Sequence, residues 1–378
     1  MRHILVLVLV QFTAVMACGD KQADLSKSTT VTTHEETVEQ TALNYVLKSP
    51  WDTRFLDKDV PIHTVQCRKS ADDLLVNIPD RLENGNVDEK AWTSLTDISN
   101  QINLLSDQAV VEGDLAAASC VLDHLFYWAQ NDAFIVENEC HEGGDHWKHG
   151  YDRSNFINGI LTIPYLQIRS ASTLDETKKS LVLSWFESLY LCSRTRAEGM
   201  LLDAEENGFG PHNQVYPALL AVATIAIALD QPGEFNWAIE KYQHSIGTIS
   251  ADGTSANELA HKMGWALHYH TLIVNFSVHL SLLGEINGVT GLLDDPALAR
   301  LTQRVLDSYD DPTYLEELTG FDQTQNPLTT PWNLSWVEHL KRYSEDPRVS
   351  KLAKQFQGKL AHTHTGGNPE YWWPEYWK

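Results

Sequence analysis

The sequence predicts an all-α fold, an (α/α) toroid, and three observations carry that expectation. Apolar residues recur three and four apart over most of the 378-residue chain, and convincing strand alternation is scarce. The periodic segments are joined by short polar loops rich in Gly, Pro, Asn and Asp, such as ENGNVDE, ENGFGPHN, DQPGE and SADGTS. Helices linked in this way pair as antiparallel hairpins. A ring of hairpins makes an incomplete helical barrel, with inner helices as its core and loops at its mouth. No repeat of fixed period is visible, which disfavours a regular solenoid.

The chain opens MRHILVLVLVQFTAVMAC. A basic start, an apolar run and small residues before Cys18 read as a secretory signal over residues 1–17. The run is short for a membrane span. Val15-Met16-Ala17-Cys18 resembles a lipobox, so cleavage is expected to leave a lipidated Cys18. Residues 18–40 then form the lipidated cysteine and a disordered tether rich in Ser, Thr, Glu and Lys. Residues 41–378 are expected to be one helical domain in the periplasm or anchored to the outer membrane.

Within that domain the helical segments come in order. AWTSLTDISNQINLLSDQAVV and LAAASCVLDHLFYWAQNDAF are amphipathic, as is the longer TLDETKKSLVLSWFESLYLCSRTRAEGMLLDAE. VYPALLAVATIAIALD is apolar nearly all round, which fits a helix buried in the middle of the molecule. EFNWAIEKYQHSIGTI follows, then a helix expected from about Ala260 to residue 283, then DPALARLTQRVLDSYDD. The tail EYWWPEYWK concentrates three Trp and two Tyr, and is expected to cap the ring or line its mouth.

Charge excludes several partners. Without residues 1–17 the chain carries 27 Lys and Arg against 51 Asp and Glu, a net charge of −24. Nucleic acid and an anionic membrane surface do not suit such a protein. The membrane enters only through a lipid on Cys18. Four further cysteines, Cys67, Cys120, Cys140 and Cys192, permit disulfides in an oxidising compartment, with the pairing open.

Metal and cofactor chemistry find little support. HEGGDH, residues 141–146, lacks the spacing of HExxH, and its two glycines oppose the required helix. HTHTGG pairs His362 with His364 but offers no third ligand. No cofactor or metal is expected. Acids are too numerous for any spacing to single out a glycosidase pair.

NELAHKMGWALHYH, residues 257–270, is richer. On one helix, Lys262, Trp265 and Tyr269 fall at i, i+3 and i+7 along a stripe. A cation, an aromatic plate and a phenol in line suit β-elimination on a uronate polymer. That reaction needs the C6 carboxylate neutralised, the C5 proton removed and O4 protonated. The alternative is an amphipathic helix whose polar groups are satisfied by its neighbours.

DGTSANELAHKMGWALHYH resembles the mannuronate-specific alginate lyases of helical-toroid type. Asn257, Glu258, Leu259, Ala266, Leu267, Tyr269 and His270 match that family's pattern. CVLDHLFYWAQNDAF, PYLQIR, EFNWAIEKYQ, LSWVEHL and Gly366-Gly367 also have counterparts there. The resemblance implies an anionic uronate polysaccharide as substrate and metal-independent β-elimination. It implies Tyr269 as general acid, and alternatively as acid and base both, with Lys262 standing where the family has Arg. Its Asn-Asn-His motif meets Gly210-Pro211-His212-Asn213-Gln214, in two possible registers. On the reading that keeps both in the site, His212 is the candidate base and Asn213 helps Lys262 neutralise the carboxylate. Trp265, Tyr216, Gln214, His270 and Arg153 are candidate substrate contacts, and Arg81 or Lys90 would reach over the sugar from a lid. The departures leave open another uronate polymer such as glucuronan, or a non-catalytic sugar-binding lipoprotein.

Overall fold

A computed structural model describes residues 45–52, 66–67, 89–135, 161–171, 173–260, 264–361 and 365–372, all within one compact unit, Ala42–Lys378. These residues form α-helices and short 3-10 turns, with no β-strand among them. Cys18 and its tether, Arg81, Arg153, Cys140, the 141–146 motif, Lys262, His362 and His364 lie outside the described residues, and Lys90 outside the described side chains.

Hairpins follow one another along the chain. Helix α1 (Glu89–Glu112) turns at Gly113 into α2 (Leu115–Gln130), whose N-terminus is capped by Asp114 accepting from the Ala116 and Ala117 amides. Short α3 (Ile163–Ile168) leads to α4 (Glu176–Asn207), capped by Asp175 and closed by Gly208. Next come α5 (Val215–Ala228) and α6 (Pro232–Ile246), then the single turn α7 (Ala256–Leu259). The set ends with α8 (Ala266–Ile286), α9 (Pro296–Asp310), α10 (Thr313–Thr319), α11 (Ser335–Leu340) and α12 (Pro347–Gln355).

Burial separates an inner layer from an outer one. Every residue of α5 and α11 is buried, as is most of α8. By contrast α9 buries only one stripe, Ala297, Leu298, Leu301, Thr302, Val305, Leu306 and Ser308. Each fully buried aliphatic side chain contributes roughly 1.5–3 kcal/mol relative to exposure, so the inner helices hold most of the core's stabilisation. Helix α1 packs on α3, α3 on α5, α5 on α8 and α8 on α11. The partners α2, α4, α6, α9 and α12 lie against them from outside.

Buried polar pairs tie neighbouring inner elements. Gln167 Nε2 donates to Asp107 Oδ1 (3.0 Å), and the Thr162 and Thr224 hydroxyls meet at 2.9 Å. Between α8 and α11, the Ser335 hydroxyl donates to Asn275 Oδ1 (2.6 Å) and His339 Nε2 meets His279 Nε2 (3.2 Å). The ring closes through the C-terminal segment. The 3-10 turn Pro369–Trp372 packs on both α11 and α1, and the Asn368 amide donates to Asp107 Oδ2 (3.3 Å). Gly366 passes so close to α3 that an added Cβ would lie 2.0 Å from Ile163 Cγ2.

The N-terminal part of the unit is pinned to the same core. Arg169, the arginine of PYLQIR, is fully buried and donates to Asp52 (2.8 Å and 2.5 Å), the Ile227 carbonyl (2.8 Å) and the Leu47 carbonyl (3.1 Å). The Tyr45 ring covers its guanidinium. A disulfide joins Cys67 to Cys120 on α2, and Cys192 is also disulfide-bonded. Among the described residues no helix is long and apolar enough to cross a membrane.

One expectation is corrected here. The helix predicted from Ala260 begins at Ala266, after α7 has ended at Leu259. Gly264 adopts φ +66°, where a Cβ would lie 2.0 Å from the Asp322 carbonyl oxygen. Its own carbonyl accepts from the Thr324 amide at 2.9 Å. The chain is therefore bent away from helix geometry before Trp265, so no single helix runs from Ala260 into α8, and Lys262 of the expected stripe lies outside the described residues.

Candidate active site

Two loops approach each other before the inner helices α5 and α8. The first, residues 210–214, leads into α5. The second, residues 250–265, contains α7 and leads into α8. The second is held by the α9 side: Arg300 donates to the Ser250 and Ile249 carbonyls and Arg304 to the Asp252 carbonyl.

The joint between the loops is an amide on a carboxylate. The Asn213 backbone N–H donates to Glu258 Oε1 at 2.5 Å. Its side-chain Nδ2 lies 3.2 Å from Oε1 and 3.1 Å from Oε2. Gln214 Nε2 donates to Asn213 Oδ1 at 3.2 Å, which holds the other end of that amide. A second joint runs from Asn257 Nδ2 to the Gly210 carbonyl at 3.1 Å. Glu258 is fully buried, and desolvation pushes its carboxyl up to about 7 against the opposing pull of the Asn213 donors.

His212 stands next to this joint, buried at 5 % exposure. The Gln214 amide, at the N-terminus of α5, has no intrahelical acceptor and donates to His212 Nδ1 at 3.1 Å. A backbone N–H can only donate, so Nδ1 carries the lone pair. The neutral ring therefore bears its proton on Nε2. In that state Nε2 donates and does not accept a proton.

Tyr269 and Trp265 lie on the α8 side. Trp265 precedes the helix, and their rings meet edge to face at 5.8 Å, with His268 against Tyr269 at 5.4 Å. Both Trp265 and Tyr269 are partly exposed, and burial lowers the His268 imidazole to about 4. Gln323 Oε1 accepts from the Leu267 amide (2.9 Å), capping the start of α8.

Two candidate substrate contacts take other roles. His270 is fully buried, with Nε2 accepting from the Ser255 amide (2.9 Å) and Nδ1 on the Ala266 carbonyl (2.6 Å). Both nitrogens are spent on backbone, so His270 fastens α7 to α8 and cannot reach a sugar. Tyr216 is likewise fully buried in α5, its hydroxyl without a hydrogen-bond partner among the described residues and its ionisation suppressed by burial. His212, Asn213 and Gln214 thus sit together at one loop, Trp265 and Tyr269 at the other. Glu258 joins the two. Sequence reasoning gave Glu258 no role, although it lies inside the Asn-Glu-Leu segment that carried the resemblance.

The alginate lyase family model matches residues 66–314. The chain belongs to the alginate lyase family. An alginate lyase of Cobetia marina is 26% identical over 236 residues, covering 61% of this chain and 59% of that enzyme. The chain thus aligns with about three fifths of the length of this curated relative. The crystal structure of alginate lyase A1-III from Sphingomonas species A1 superposes with a TM-score of 0.61 at 15% identity, over 87% of this chain and 89% of that one. A His-to-Ala variant of A1-III complexed with tetrasaccharide superposes with a TM-score of 0.60 at 16% identity, over 84% and 86% of the two chains. The alginate lyase family fold and the inner and outer helical layers described above agree: the protein is an (α/α) toroid.

Proposed function

We propose that this alginate lyase family member is a polysaccharide lyase that cleaves a uronate polymer, poly-β-D-mannuronate first, by β-elimination without a metal. The observation that carries the reading is the Asn213–Glu258 joint. It ties the His212–Asn213 loop to the segment that leads to Tyr269, which supports reading the two as one site. The A1-III variant complexed with tetrasaccharide supports an oligosaccharide ligand for this chain.

The steps assign one task to each group. Asn213 and Lys262 neutralise the C6 carboxylate, so that charge can develop there as the C5–H bond breaks. His212 adds its Nε2–H as a further donor to that charge. Tyr269 as phenolate takes the C5 proton, the C4–C5 double bond forms, and the C4–O4 bond breaks. The same phenol returns the proton to O4 and is again phenolate, which completes a syn elimination. Trp265 offers an aromatic face to a sugar ring. The base role passes from His212 to Tyr269 because the neutral imidazole keeps its lone pair on Nδ1, against Gln214. We place the mature protein in the periplasm or on the outer membrane through a lipid on Cys18.

The test is direct. Purified protein is given poly-mannuronate, poly-guluronate and glucuronan, with and without EDTA, and the ultraviolet absorbance of unsaturated uronate is followed. A rise on poly-mannuronate that persists in EDTA is expected. A rise on glucuronan alone transfers the activity to that polymer, which the lysine at 262 in place of the family's arginine would accommodate. No rise on any polymer refutes the lyase reading.

A further inference from the structure

Protein groups engage both ends of the Asn213 side-chain amide. Oδ1 accepts from Gln214 Nε2, and the backbone N–H and Nδ2 both face the Glu258 carboxylate. The two oxygens of one carboxylate subtend a narrow angle at Nδ2, whereas the two N–H bonds of an amide diverge widely. Glu258 therefore takes one side-chain N–H, and the second is directed elsewhere. The reversed amide would set Asn213 Oδ1 against an acid and Nδ2 against another donor, so only one orientation satisfies both neighbours.

Glu258 itself is fully buried on α7, a single turn, and its polar contacts to Asn213 join the two loops beside the Asn257–Gly210 bond. It is out of reach of a sugar. Its burial is costly, and an acid beside a site for a polyanion opposes binding, so its presence needs a compensating use. We infer that Glu258 is a positioning residue, acting through Asn213: it fixes the amide so that the second Nδ2–H meets the uronate carboxylate as charge develops. This rests on the lyase reading above.

The consequence is a dependence of one residue on the other. Glu258→Gln keeps the shape but offers one acceptor oxygen and places an NH2 group against the Asn213 donors. The orientation of the Asn213 amide is then lost. Steady-state kinetics on poly-mannuronate are measured for the wild type, Glu258→Gln, Asn213→Ala and the double variant, with thermal melts for each. The expected result is a kcat about 10–100-fold lower in Glu258→Gln, with KM within about threefold. In the Asn213→Ala background the same change should alter kcat by less than about twofold. Equal losses in both backgrounds, or wild-type kcat in Glu258→Gln, would overturn the role. Should Glu258→Gln fail to fold, Glu258→Asp carries the same cycle: it keeps both acceptors but withdraws them, and the loss must again vanish without Asn213. A wild type inactive on every uronate polymer brings down the lyase reading first, and that arm is separate from the cycle.

Discussion

The Gln214 backbone N–H donates to His212 Nδ1 at 3.1 Å, and that bond fixes which ring nitrogen of the neutral imidazole holds the proton. The side of His212 away from the helix end is a donor. A donor and a base respond differently to replacement, which separates the two roles experimentally.

His212→Gln keeps an N–H donor near the position of Nε2, whereas His212→Ala removes it. A donor role predicts that kcat falls about tenfold in His212→Gln and about 100-fold or more in His212→Ala. A base role predicts equal, severe losses in both, because an amide takes no proton. Initial rates of unsaturated uronate formation decide between them.

Gly264 is the bend that separates α7 from α8. Alanine there must hold φ +66°, which costs roughly 1–2 kcal/mol, and must also displace the Asp322 carbonyl 2.0 Å away. Gly264→Ala is expected to lower stability by more than about 2 kcal/mol in chemical denaturation. Unchanged stability would mean that the 320–324 segment yields freely. The partner bond from Thr324 to the Gly264 carbonyl argues against such freedom.

Buried titratable groups set opposing pH limbs. Burial lowers His270 and His279 to about 4, so their neutral forms stabilise the fold above the ordinary value of 6.5, and that stability is lost as pH falls toward 4. Burial raises Asp107 to about 8 and Glu258 to about 7. Their stability is present below the ordinary carboxylate range and is lost as pH rises through 7 and 8. Below 6.5 the two pairs oppose each other, and above it only the carboxylates still act, so the melting temperature should fall as pH rises from 6.5 to 8. A melting temperature that climbs steadily from 6.5 to above 8 would contradict the assignment of Asp107 and Glu258.

Where periodicity was strong the sequence and the structure agree closely. The α2 segment was expected from Leu115 and starts there, and DPALARLTQRVLDSYDD gives α9 with Asp295 as its cap. Short inner pieces were not legible. Helices α3 and α11 have six residues each, all buried, so they show no apolar-polar alternation to read. The break at Gly264 was hidden because a lone glycine is tolerated within a helical pattern, and its positive φ beside the Asp322 carbonyl is a tertiary feature. Of the seven described site residues read from the 210–216 and 257–270 segments, five sit at the two loops: His212, Asn213, Gln214, Trp265 and Tyr269. Glu258 was missed because its meaning is a tertiary pair 45 residues apart. His270 and Tyr216 looked like site groups for the converse reason: adjacency in sequence to Tyr269 and His212 says nothing of which way a helix turns them, and both face the core.

The measurement that bears most directly on the account is poly-mannuronate cleavage by the wild type and by Tyr269→Phe, followed through the ultraviolet absorbance of the unsaturated product. The phenol is asked to take and return the same proton, so its loss should lower kcat by about 1,000-fold or more while the folded state and KM stay close to wild type. Tyr269→Phe that cleaves within about tenfold of the wild-type rate would contradict the assignment, and the proton would then have to pass through another group.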